Sequence, residues 1–102
     1  MKELLPELGF YGLGGAPESP RALIDEVRDA EDLGLGALFI SERFDLKEAV
    51  TLSGAAAAVS SRLRIITAAT NHNSRHPIVT ASYATTMHRM TGGRFTLGLG
   101  RG

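Results

Sequence analysis

Four short apolar runs, each followed by glycine or small polar residues and each separated from the next by a helix-length stretch, restrict this chain to a few folds. The runs are Leu8 to Gly12, Ala37 to Ser41, Leu63 to Ala69 and Phe95 to Leu99. Their starts lie 29, 26 and 32 residues apart, close to one βα unit of an eight-fold barrel of about 250 residues. The segments between them read as helices. Ser19-Pro20 is a helix start, a capping residue followed by proline in the first turn. Leu23, Ile24, Val27, Ala30 and Leu33 then fall on one face, and Gly34 is placed to end the helix.

The second helix is expected over Leu46 to Ser60, where Ala49, Ser53, Gly54, Ala55, Ala56 and Ala57 would let it lie close against a sheet. Thr70 to His76 reads as a polar loop. The third helix opens at Pro77, runs to about Met90 and stops at Thr91-Gly92-Gly93. The expected order is β-α-β-α-β-α-β, an α/β chain. Crossovers of this length force the strands to run parallel, in sequential order 1-2-3-4.

That pattern alone is shared by an open doubly wound sheet and by a closed TIM (β/α) barrel. A dinucleotide-binding sheet carries GxGxxG directly after its first strand. Here Gly12-Leu13-Gly14-Gly15 departs from that pattern and the helix starts late, after Pro20. Four strands of a barrel would leave strands 1 and 4 as free edges and their inward faces unopposed. Residues 1–102 are therefore expected to form a partial barrel domain truncated after strand 4, inactive and poorly stable alone, with a homodimer as the rescue that closes the ring.

Composition narrows the function class. Lys+Arg and Asp+Glu are both 11, giving a net charge of +0 and no electrostatic case for nucleic acid or an anionic membrane. There are no cysteines, so disulfides and thiolate metal sites are excluded, which fits a cytoplasmic protein. No apolar run is long enough for a membrane span.

In parallel βα proteins, chemistry sits at the C-terminal ends of strands. Glu42 and Arg43, after strand 2, are catalytic candidates: a carboxylate and a guanidinium that can orient a polar ligand or move protons. Their spacing alone equally describes a solvated turn. Ala68, Ala69, Thr70 and Asn71 combine small residues, which let a flat ring approach the backbone, with hydrogen-bonding groups. Arg75, beside the helix start at Pro77, is a candidate anion holder. Gly98 and Gly100 permit close approach to the backbone at the end of strand 4. His72 and His76 lie in a loop, not on a helix, so no metal site is expected. His88 reads as a helix-surface residue.

Taken together, Thr70-Asn71, Arg75-His76-Pro77, Gly92-Gly93-Arg94-Phe95 and Gly98 to Gly102 resemble, in order and spacing, the signature region of the luciferase-like monooxygenase family. The likeness is greatest to its branch dependent on the deazaflavin coenzyme F-420. Ala30 to Phe44 is also similar to that family's first helix, glycine and second strand. The resemblance implies a closed eight-stranded barrel with the ring in its mouth, backed by a non-prolyl cis peptide at Ala68–Ala69. It implies an oxidoreductase that transfers hydride to or from a small organic substrate with F-420, or inserts oxygen with reduced FMN. Arg75-His76-Pro77 favours the deazaflavin. Many members follow an acid with His at the end of strand 2, where this chain has Glu42-Arg43, so His-dependent proton transfer is not expected there. The alternative from another class is a non-catalytic flavin-binding or structural fragment.

Overall fold

The computed structural model describes residues 3–101. Gly102, the last glycine of the Gly98-to-Gly102 motif, lies outside the described residues. The elements are β1 (Leu5–Tyr11), α1 (Ala22–Leu33), β2 (Leu35–Ile40), α2 (Ala49–Ala58), β3 (Arg64–Thr67), β4 (Thr70–Asn71), α3 (Pro77–Thr91), β5 (Phe95–Thr96) and β6 (Leu99–Gly100). A four-stranded parallel sheet runs in the order β1-β2-β3-β5, the expected sequential order. No helix among the described residues is long and apolar enough to cross a membrane.

The core forms where the helices meet one face of this sheet. Leu23, Val27 and Ala30 of α1 and Leu38 and Ile40 of β2 are buried together with Ala49, Leu52 and Ala56 of α2. Each large apolar side chain buried in this way contributes roughly 1.5–3 kcal/mol. α1 buries Leu23, Val27 and Ala30 of its expected face, but Leu33, at the last position of the helix and the edge of that face, is exposed; the helix ends on Gly34 at φ 82, and the Ser19 hydroxyl accepts from the Arg21 N–H just ahead of it. α2 starts later than the sequence suggested, at Ala49 instead of Leu46. The carboxylate of Glu48 caps it, accepting from the N–H groups of Val50 and Thr51.

The expected third and fourth strands are each broken in two, and the supposed loop residues Thr70 and Asn71 are strand. β3 pairs with β5 through Ile65–Phe95 and Ile66–Thr96, and β4 pairs with β6 through Thr70–Leu99 and Asn71–Gly100. The partner offset thus falls from 30 to 29, so the third strand carries one extra residue across Thr67 to Ala69. This is the signature of a β-bulge. Thr67 bridges the break with its side chain. Its hydroxyl accepts from the Gly98 N–H at 2.7 Å and donates to the Gly98 carbonyl at 2.9 Å.

At the opposite end of the sheet, three side chains tie the helices to the strands. The Glu31 carboxylate accepts from the N–H groups of Ser61, Arg62 and Leu63. The Arg62 guanidinium donates to the carbonyls of Glu31 and Leu35. Gly92 and Gly93, at φ 64 and 91, turn the chain out of α3 so that the Arg94 guanidinium reaches the carbonyls of Thr91, Leu63 and Ser60. The Gly-Gly-Arg-Phe motif is thus a structural latch, distant from the C-terminal strand ends.

Gly36 and Gly54 separate two reasons for glycine. A Cβ on Gly36 would lie 2.0 Å from the Pro6 carbonyl oxygen, where only backbone could yield. A Cβ on Gly54, inside α2, would meet nothing within 4 Å. Gly36→Ala should lower unfolding free energy by at least about 1–3 kcal/mol. Gly54→Ala should leave it unchanged or raise it by up to about 1 kcal/mol. Urea midpoints at constant m-value measure both, and equal midpoints for the two variants would contradict this packing.

Candidate active site

The C-terminal ends of the strands converge on one edge of the sheet. The Gly12 N–H donates to the Phe39 carbonyl, Ala68 N–H to Ile40, Thr70 N–H to Gly98 and His72 N–H to Gly100. Tyr11, Ser41, Ala68–Ala69 and Gly100 are thereby set along one rim. The bulge turns Ala68 and Ala69 outward: both are exposed, and the peptide between them is cis.

Behind this rim lies an ion cluster that sequence spacing did not reveal. The Arg75 guanidinium grips Glu42 with both Nη atoms, Nη2 to Oε1 at 2.6 Å and Nη1 to Oε2 at 3.1 Å. Nη2 also reaches Glu48 at 2.6 Å, and Nη1 donates to the Thr70 hydroxyl at 2.8 Å. Thr70 in turn donates its own proton to Glu42, and Glu42 accepts the Ala49 N–H at 3.0 Å. The Glu42 side chain is 3% exposed and that of Arg75 13%.

These contacts bear on two expectations. The four Nη protons of Arg75 are engaged inside the protein, so its guanidinium is not open to a ligand anion. Glu42 does not have the acidity of a proton donor. Burial by itself would raise its pKa, but the hydrogen bonds from Arg75, Thr70 and the Ala49 N–H outweigh that and hold it at about 2. Glu42 is a fixed negative strut that joins the end of β2, the start of α2 and the loop after β4. Arg43 is exposed, and its backbone pairs with Lys47.

The remaining candidates divide by exposure. Thr70 is buried, with its hydroxyl committed to the cluster. Asn71 is partly buried, and its side-chain carbonyl accepts from the N–H groups of Asn73 and Ser74. Gly98 is required by its own strand neighbour, since a Cβ there would lie 2.0 Å from the Thr67 carbonyl oxygen. A Cβ on Gly100 would meet Ala69 at an ordinary 3.5 Å, so that position has room. His72 Nδ1 sits 3.1 Å from the Gly100 carbonyl, and His76 Nδ1 accepts from the Ile78 N–H to cap α3. Among the described residues no three His, Asp or Glu side chains gather into a metal-binding group.

Sequence reasoning missed Lys47 and Glu48 entirely. The signal for Lys47 was a cation at what read as a helix N-terminus, where the helix dipole disfavours positive charge.

Comparison with known proteins agrees with this architecture. The model of the luciferase-like monooxygenase family matches residues 6–102. The 5,10-methylenetetrahydromethanopterin reductase of Methanopyrus kandleri is 28% identical over 100 residues, covering 98% of this chain and 26% of that protein. The structure of the coenzyme F-420 dependent tetrahydromethanopterin reductase from the same organism superposes with a TM-score of 0.77 at 25% identity, over 93% of this chain and 26% of that one. The monooxygenase RslO1 from Streptomyces bottropensis superposes at 0.72 with 26% identity, over 90% and 33%. The chain thus spans about a quarter of the length of the curated relative it matches.

The cluster makes two measurable demands. Arg75→Met leaves the Glu42 carboxylate buried without its partner and should cost about 3–5 kcal/mol in urea unfolding. The folded pKa of Glu42 is depressed from 4.5 to about 2, so its stabilisation is complete above pH 4.5 and drains away as pH falls toward 2. Glu42→Gln should flatten the loss of stability across that window. The slope that remains belongs to other carboxylates, Glu31 and Glu48 among them, whose pKa values are also lowered. An unaltered acid profile in Glu42→Gln would show that the carboxylate is not held as described.

Proposed function

This chain belongs to the luciferase-like monooxygenase family, and from that premise we propose that it supplies the cofactor-backing edge of an oxidoreductase that moves hydride between the deazaflavin F-420 and a small organic substrate. The observation that carries the reading is the exposed Ala68–Ala69 turn at the strand ends, its two methyl side chains flanked by Asn71 and Gly100. A flat heterocycle needs such a floor: small side chains, no bulk, and polar groups at the margin. The residues present therefore fit the ring. Ala68 and Ala69 would back it, with Asn71, Gly98 and Gly100 at its border.

When bound, the deazaflavin supplies the hydride chemistry, and the protein's share is to orient the ring and exclude water. Glu42, Arg75 and Thr70 do this indirectly by fixing the loop that carries the floor. Arg75-His76-Pro77 and the likeness to an F-420 dependent reductase support the deazaflavin over FMN.

Fluorescence titration of the protein with oxidised F-420 tests the reading. Saturable binding is expected, and Ala69→Phe, which places a ring on the floor, should weaken it at least about tenfold, equivalent to about 1.4 kcal/mol. Ala69→Gly should bind like the parent. Absence of binding, preference for FMN, or equal binding by Ala69→Phe would each contradict the proposal.

A further inference from the structure

A second group of side chains lies on the same rim, two strands from Ala68. Lys47 is 6% exposed, and among the described residues no carboxylate pairs with it. Burying an ammonium without a counter-charge is costly unless its protons are all accepted. Here Nζ donates to the Tyr11 hydroxyl at 2.7 Å and to the carbonyls of Gly12 and Leu13 at 3.2 and 3.3 Å. Those carbonyls converge because Leu13 takes a left-handed conformation, φ 55, uncommon for a residue with a side chain. The Leu13 N–H is secured in turn by the Glu26 carboxylate at 2.8 Å. The Tyr11 hydroxyl also meets Ser41 Oγ at 2.5 Å. Tyr11 itself is half-exposed toward the rim.

We propose that Tyr11 is the proton-transfer residue of this site, with Lys47 and Ser41 as the positioning residues that hold its phenolate. The inference rests on the cofactor reading above. Ser41 follows Ile40, whose carbonyl accepts the Ala68 N–H, so Ser41 stands between Tyr11 and the ring floor. Tyr11 lies two strand spacings, about 10 Å, from the third strand. A substrate resting on the ring spans that gap.

The chemistry balances. When hydride adds to the carbon of a C=O or C=N bond, a C–H bond forms and the π electron pair moves to the heteroatom. That atom takes the proton from Tyr11 Oη, leaving a phenolate that accepts from Lys47 and Ser41 until solvent returns a proton. The reverse direction uses the phenolate as base. A phenol suits this task when it is more acidic than usual. The hydrogen bond from Lys47, then that with Ser41, and the nearby charges of Lys47 and Arg43 outweigh the effect of burial and lower the pKa of Tyr11 from its ordinary value of 10.0. Among the described residues, Lys47 and Arg43 are the charges that act on it.

The chain has two tyrosines, and the other is well separated. Tyr83, buried and bonded to Ser53, is pushed up to about 12. Ultraviolet titration of tyrosinate absorbance can therefore isolate Tyr11. We expect a step below pH 10 in the parent that is lost in Tyr11→Phe and moved upward in Lys47→Met. Ser41→Ala, at a partly exposed position, should move it upward as well and guards against misfolding of the Lys47 variant. Loading the protein with oxidised F-420 should shift the step. A first step at the ordinary tyrosine pH, or one insensitive to both Lys47→Met and Ser41→Ala, overturns the proposal. A step that ignores bound F-420 overturns its placement beside the ring. Failure to bind F-420 with the low step intact would instead refute the cofactor reading and uphold the acidic phenol.

Discussion

The buried grip of Arg75 on Glu42 is the interaction on which the rest of the rim depends. Strand ends in a parallel sheet are joined only by the loops that leave them, and loops alone are mobile. Here one guanidinium binds Glu42 just beyond β2, the capping carboxylate of α2 and the hydroxyl that opens β4. Three separate segments are thereby held as one surface. The cluster contains two carboxylates and one guanidinium, and its remaining acceptors are filled by the N–H groups of Ala49, Val50 and Thr51. Burial of charge in this form is tolerated because every partner is present. The arrangement ties the three segments together.

The second constraint is the one-residue bulge of the third strand. Without it, the alternation of a regular strand would turn either Ala68 or Ala69 into the sheet. With it, both are exposed, and Thr67 restores the broken ladder through its hydroxyl. The floor thus comes from backbone geometry and the absence of bulk, while the ion cluster behind it fixes its position. The Tyr11, Lys47 and Ser41 group adds the polar chemistry that a floor of two alanines lacks.

Much of this was legible in the sequence, for identifiable reasons. The periodicity of α1, Gly34 after it, and Pro77 opening α3 are local signals, and the structure follows them. The sequential parallel order followed from crossover length. The breaks in the third and fourth strands were not legible. Phe95 to Leu99 reads as one regular alternation, Phe-Thr-Leu-Gly-Leu, and Leu63 to Ala69 sustains none, so nothing in either marks a break or the point where a residue is added. The fate of Arg75 was hidden for a different reason. Its partner Glu42 lies 33 residues away, and a long cationic side chain beside a helix start reads as an anion site until the carboxylate is seen. Lys47 was overlooked because its partners are two carbonyls and a phenol, groups that carry no sequence signature.

The proposed seat of the cofactor ring is the Ala68–Ala69 turn. It is tested most directly by a crystal structure of the protein soaked with oxidised F-420. The ring is expected flat against Ala68 and Ala69, bordered by Asn71 and Gly100, with the Glu42–Arg75 pair unbroken behind it. A ring bound elsewhere, or a bound cofactor that has drawn Arg75 off Glu42, would contradict this placement.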